Sequence, residues 1–149
     1  MSTRREGGYL ISQIHQLAGR IFSRKLKDYQ IDINHAQGRI IFALWKKDQI
    51  QINDLAKETA LSKSTLTTML ERLEKSGHLA RKPSETDKRT TIICLTPKSC
   101  SLKADYQKVS ADMTNLFYNG FTDEDISQFE LYLKKIIENL KTRQDSLAN

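Results

Sequence analysis

At 149 residues, with 28% charged and 38% hydrophobic side chains, the sequence has the length and balance of one folded domain, 1–149, and not of a disordered or fibrous chain. A formal net charge of +6 favours a polyanionic partner. No apolar run approaches the roughly 18 residues needed to span a bilayer, and Arg4-Arg5 leads into Glu6-Gly7-Gly8 instead of an apolar export segment, so a cytoplasmic protein without membrane attachment is expected.

From Tyr9 to Tyr29, Leu10, Ile14, Leu17 and Ile21 recur at helical spacing, with Ile11, Ala18 and Phe22 beside them. The spacing predicts a long first helix with a wide apolar face. His35 to Lys46 predicts a shorter helix carrying Ile40, Ile41, Phe42, Leu44 and Trp45. Two helices joined by a sharp turn follow: Leu55 and Ala56 bury the first, Leu61-Ser62 makes the turn, and Lys63 to Ser76 forms the second, stopped by Gly77. In that second helix Leu66, Met69, Leu70 and Leu73 share one face, and at about 100° per residue Ser64, Thr67, Thr68, Glu71, Arg72 and Lys75 point the other way.

After Gly77 the period changes. Leu79 to Lys82 and Thr91 to Leu95 read as strands of a hairpin, the second enriched in β-branched residues. Pro83, Ser84 and Asp87 supply turn chemistry between them, leaving Lys88 and Arg89 near the tip. Between Leu61 and Thr90 seven cations face four acids, which is half of the chain's net charge in one segment. Helix, turn, helix and basic hairpin together predict a winged helix-turn-helix over 34–95 that binds double-stranded DNA. The competing reading is a winged module that binds protein as an adaptor without nucleic acid.

Thr96-Pro97 starts a long helix with a capping hydroxyl and a proline at the first helical position. Its stripe is Leu102, Tyr106, Val109, Met113 and Leu116. Thr122 to Asp125 caps a last helix, whose stripe is Ile126, Phe129, Leu133, Ile136 and Leu140. Heptad-like stripes want helix partners. Segments 8–30 and 97–141 are therefore expected to make a homodimer, and the fold class is mainly α with a small β-wing, a winged helix-turn-helix flanked by N- and C-terminal dimerisation helices.

The run Leu61-Ser62-Lys63-Ser64-Thr65-Leu66-Thr67-Thr68-Met69-Leu70-Glu71-Arg72-Leu73-Glu74-Lys75-Ser76-Gly77, then Arg81-Lys82-Pro83 and Asp87-Lys88-Arg89 before Leu95-Thr96, resembles the MarR family of bacterial transcriptional regulators. The resemblance covers nearly the whole chain. It implies a regulator, expected to be a repressor released by a small organic ligand, that reads a pseudo-palindromic operator as a homodimer. It also implies that Arg89 enters the minor groove while Asp87 braces the wing. With the face reading, the expected DNA contacts are Lys63, Ser64, Thr65, Thr67, Thr68, Arg72 and Lys75 on the helix and Arg81, Lys82, Lys88 and Arg89 on the wing. Glu71 departs from this pattern, since a cation there would suit phosphates better.

Sensing is less legible. Cys94 and Cys100 are wrongly spaced for a C-x-x-C motif and are expected to be structural thiols. The family's peroxide-sensing branch uses a first-helix cysteine and a tyrosine opening the second helix, where this chain has residues near Leu10 and His35. Its zinc-sensing branch carries Glu-His after the helix-two glutamine, where Gly38-Arg39 follows Gln37. His15, His35 and His78 are too scattered to suggest a metal site, and no cofactor is expected. The resemblance leaves a small aromatic or anionic effector in the crevice between dimer helices and winged module, with His35 and Arg39 as candidate anchors. No G-x-S-x-G elbow, P-loop or dinucleotide fingerprint is present, so an enzyme is not expected.

Overall fold

Helix α1, Gly7–Asp28, has two apolar faces with different fates. On one, Gly19 and Leu26 are buried and Phe22 packs on the core; on the other, Leu10, Ile14, Leu17 and Ile21 all remain exposed. This is the computed structural model of the chain, and it describes residues 4–148; residues 1–3 and 149 of the expected domain lie outside the described residues. Helix α2, His35–Lys46, has the bounds that the apolar spacing predicts. Asn34 caps it reciprocally: its side chain accepts from the Gln37 N–H at 2.8 Å and the Gln37 side chain accepts from the Asn34 N–H at 3.0 Å. Ile40, Ile41 and Leu44 then bury almost completely at the centre of the core.

Strand β1, Ile50–Gln51, leads directly into α3, Ile52–Thr59, and α4, Lys63–Lys75, follows. The hairpin is β2, Leu79–Pro83, and β3, Thr91–Leu95. The expected hairpin forms, and β1 extends it into a three-stranded antiparallel sheet of order β1-β3-β2, because Ile50 pairs with Ile93 and Gln51 with Ile92. Asp48 helps to tie this edge down by accepting from the Leu95 N–H at 2.9 Å. Two residues are too short a strand to announce themselves by alternation.

Helix α5, Pro97–Phe117, begins where Thr96 and Pro97 predict, with the Ser99 N–H donating to the Thr96 hydroxyl. Helix α6, Asp123–Ala148, runs past the expected end at 141. The chain divides into two compact units between Met113 and Thr114. In the first, Tyr106 and Val109 of α5 are buried in the core. In the second, Phe117, Tyr118, Phe121 and Phe129 form an aromatic cluster, and Tyr118 donates to Glu130 at 3.0 Å. Burial, then the bond to and charge of Glu130, raise the Tyr118 phenol above its ordinary value. Ile136, Ile137 and Leu140 of α6 are exposed. Among the described residues no helix is long and apolar enough to cross a membrane.

Candidate nucleic-acid interface

The helix-turn-helix is built from the inside out. Leu55 of α3 and Leu66, Leu70 and Leu73 of α4 are buried, with Met69 partly so. Between the helices Ala60 takes a left-handed conformation at φ 57, which turns the chain within three residues. Ser62 caps α4 by accepting from the Thr65 N–H at 3.3 Å. The α4 register therefore follows from a buried leucine stripe and a capping serine, and the opposite face is left for other work.

On that face Lys63, Ser64, Thr65, Thr68, Glu71, Arg72 and Lys75 are exposed, while Thr67 is half-buried. Thr67 donates to the Lys63 carbonyl at 2.8 Å and Thr68 to the Ser64 carbonyl at 3.1 Å. With the hydroxyl proton committed to the helix, each threonine presents oxygen lone pairs and a methyl group outward. Such a surface suits the amino groups of adenine or cytosine and the methyl of thymine in a major groove. Ser62 donates to the Thr65 hydroxyl at 2.9 Å.

The wing loop is held by side chains more than by its strands. Ser84 is buried, and its hydroxyl accepts from the N–H groups of Thr86 and Asp87; its own N–H donates to the Thr90 carbonyl at 2.9 Å. The Asp87 carboxylate accepts from the Arg89 N–H at 3.0 Å and from the Thr90 hydroxyl at 3.4 Å. Lys88 and Arg89 stand exposed at the tip, and among the described residues neither forms an ion pair.

The other two wing cations are differently placed. Arg81 is only 29% exposed at its side chain and lies 3.4 Å from Glu74 of α4, while Lys82 donates to Gln49 at 3.1 Å. Both belong to the expected DNA set; Arg81 has an acidic partner within the protein, while Lys82 stays exposed and its partner is a neutral amide. Composition counts cations; it does not count which are free.

His35 packs on α1 so closely that a Cβ on Gly19 would stand 2.8 Å from its ring. It borders a cleft of about 300 Å³ lined by His15, Gln16, Gly19, Arg20, Ser23 and itself. The His15 and His35 rings meet edge-on at 5.6 Å between centroids. Burial, then the charges of His15 and Arg39, hold the His35 imidazole below its ordinary value. Arg39 is exposed and is felt through its charge, whereas Arg20, which sequence reasoning passed over, lines the cleft. Gly19 is the signal that could have drawn attention to it, as a small residue in mid-helix marks a close approach. Cys94 lies in β3, its thiol 3.5 Å from the Ala80 carbonyl, and Cys100 is exposed in the first turn of α5. Among the described residues no three His, Cys, Asp or Glu side chains converge as metal ligands would.

A family model described as MarR family matches residues 33–91. The chain is 30% identical over 111 residues to the organic hydroperoxide resistance transcriptional regulator of Bacillus subtilis (strain 168), spanning 74% of each chain. It is 27% identical over 131 residues to the multiple antibiotic resistance protein MarR of Escherichia coli (strain K12), spanning 87% of this chain and 90% of that one. The crystal structure of a cysteine-to-serine mutant of E. coli MarR complexed with operator DNA matches with a TM-score of 0.77 at 27% identity, covering 87% of this chain and 91% of that chain.

Proposed function

This chain belongs to the MarR family, and from that premise we infer that it is a DNA-binding transcriptional regulator: a homodimer that reads a pseudo-palindromic operator and represses until a small organic ligand releases it. The observation that carries the DNA reading is the outward face of α4, with Ser64, Thr65 and Thr68 exposed, beside a wing tip whose Lys88 and Arg89 form no ion pair among the described residues. Lys63, Arg72, Lys75, Lys88 and Arg89 are the phosphate and minor-groove candidates. Ser64, Thr65, Thr67 and Thr68 are the base-reading candidates, and Asp87 holds the wing loop. Arg81 and Lys82 act mainly by shaping the wing. The protein works in the cytoplasm and is not an enzyme.

The dimer reading rests on the exposed stripe of α1, where Leu10, Ile14, Leu17 and Ile21 are each more than a third exposed. A second copy is the natural cover for so regular an apolar face. Two recognition helices related by a two-fold axis then meet half-sites about 10 bp apart. For the effector, the cleft beside His35 carries His15, Arg20 and the nearby charge of Arg39, which favours a small anion. The Bacillus relative is a hydroperoxide-resistance regulator, but α1 of this chain holds no cysteine, which disfavours the first-helix thiol of the family's peroxide-sensing branch as the sensor here.

Selection of bound sequences from a random duplex pool tests the reading. A pseudo-palindromic motif whose binding weakens steeply with salt is expected, since phosphate neutralisation releases counterions. Failure to enrich any motif would favour the adaptor.

A further inference from the structure

We infer that Asp32 is a positioning residue for DNA reading: one carboxylate that joins the α1–α2 loop to the end of the recognition helix and to the start of α5. The loop itself is pinned on both sides of it. Ile31 and Ile33 are buried, and Asp32 between them is exposed.

One Asp32 oxygen lies 2.6 Å from Nε2 of His78, whose side chain is 1% exposed. The other accepts from Nζ of Lys98 at 3.3 Å, and the same Nζ donates to the Ser76 carbonyl at 2.8 Å. His78 immediately follows the stop of α4: its N–H donates to the Leu73 carbonyl and the Gly77 N–H to the Glu74 carbonyl, with Gly77 left-handed at φ 81. That pattern is a Schellman stop. Thr96, the residue before α5, donates through its N–H to the His78 carbonyl and through its hydroxyl to the Gly77 carbonyl.

The chemistry explains why one carboxylate has such leverage. Lys98 satisfies a carbonyl at the negative end of the α4 dipole, and Asp32 holds that ammonium in place. His78 is buried, so its ring keeps its position only while a partner occupies Nε2. Burial pushes the Asp32 carboxyl up, but the bond to and charge of His78, followed by those of Lys98, outweigh it and hold it below the ordinary carboxylate value. The carboxylate therefore stays ionised in the folded protein. Three chain segments are fixed relative to one another through this group: α1 by way of its loop, the recognition helix by way of His78, and α5 by way of Lys98. If the dimer is built on α1 and α5, the clamp sets how far each recognition helix stands from the two-fold axis.

The mechanical part of this inference stands without DNA; its consequence for operators rests on the regulator reading above, and the experiment separates them. Nitroxide labels would be placed at Lys27→Cys on α1 and Glu71→Cys on α4 in a Cys94→Ser, Cys100→Ser background, with labelled protein diluted in unlabelled, and the distance between them measured by pulsed electron resonance. A single narrow distance is expected for the parent, and a broadened or displaced one for Asp32→Asn. Lys98→Met, which leaves the buried His78 its carboxylate partner and so threatens folding less, should broaden it too. An unchanged distribution in both variants, with circular dichroism showing both folded, overturns the proposal. On duplexes selected by the parent, the same variants should bind about tenfold more weakly and tolerate altered half-site spacing. Broadened distances with unchanged affinity and spacing would reduce Asp32 to a stabilising role and also overturn it. A parent that shows a narrow distance but selects no duplex would instead count against the regulator reading.

Discussion

The Tyr106 hydroxyl donates to the Gly38 carbonyl at 3.0 Å, and a Cβ added at Gly38 would stand 2.8 Å from that same oxygen. The Tyr106 side chain, reaching across from α5, thus lies closer to the α2 backbone than any side chain at 38 permits, with Phe22 edge-on to the tyrosine at 5.7 Å and Trp45 at 4.4 Å. Gly38→Ala is expected to destabilise by about 1–3 kcal/mol through overpacking, and Tyr106→Phe by about 1 kcal/mol through the lost bond. The double variant should cost less than the sum, since removing the hydroxyl makes room for the methyl. Urea midpoints of the four proteins measure this, and strict additivity would mean that the two residues do not constrain each other.

The same contact has a pH signature. Burial pushes the Tyr106 phenol from about 10 to about 12, so the folded state keeps a proton that the unfolded chain gives up. Its contribution is fully present below pH 10 and is lost as pH rises toward 12. Alkaline denaturation should be blunted in Tyr106→Phe relative to the parent.

Ala60 occupies the left-handed region at φ 57 in the turn between α3 and α4. A left-handed residue with a Cβ costs about 1–2 kcal/mol, and a glycine returns part of the gain through greater unfolded-state freedom. Ala60→Gly is therefore expected to stabilise by about 0.5–1 kcal/mol and raise the melting temperature without changing operator preference. A lowered melting temperature would count against strain at this turn.

Sedimentation at micromolar concentration should give a dimer. Leu17→Glu and Ile21→Glu, both on the exposed stripe of α1, should give folded monomers that bind operator weakly, because each would hold only one half-site. A parent that sediments as one chain would sink the dimer.

Wing and helix variants should separate affinity from preference. Arg89→Ala should weaken binding to all duplexes and reduce the salt slope by about 1, while Ser64→Ala and Thr68→Ala change the selected half-site at about 1–3 kcal/mol per lost base contact. Arg81→Ala, whose guanidinium is turned toward Glu74, should lower stability and leave the salt slope intact. Equal slopes for the Arg89 and Arg81 variants would remove the distinction between free and engaged wing cations.

Effector binding should be linked to protons. His35 is held below its ordinary value of 6.5 by burial, then His15, then Arg39, so its contribution to stability is present above 6.5 and is lost as pH falls through the depressed value. An anion in the cleft reverses that bias, favours the imidazolium, and should bind more tightly with proton uptake as pH drops. Calorimetry with phenolic carboxylates in buffers of different ionisation enthalpy reads the uptake. Binding that is independent of pH and unchanged in His35→Gln and Arg39→Ala would reject these anchors, while a peroxide response lost in Cys94→Ser, Cys100→Ser would move sensing to the thiols.

The sequence by itself determined what depends on neighbours along the chain. The bounds of α2, the Thr122 cap, the buried stripe of α4 and the two main wing strands all follow from spacing and capping chemistry within a few residues. The family motif from Leu61 to Arg89 was legible for the same reason, being nearly contiguous. Only the tertiary structure decided which charges are free. Arg81 and Arg89 are alike in sequence, and it is the packing of β2 against α4 that engages one with Glu74 and leaves the other at the wing tip. Likewise β1 exists because Ile50 finds Ile93, Gly38 matters because Tyr106 arrives from another helix, and His78, read as an isolated histidine, is one half of a pair with Asp32 that closes a loop of dozens of residues. Hydrophobic periodicity is a local property and survives in one dimension. The partner of a charge or the neighbour of a glycine is chosen only when distant segments are brought together by burying the stripes that periodicity reveals.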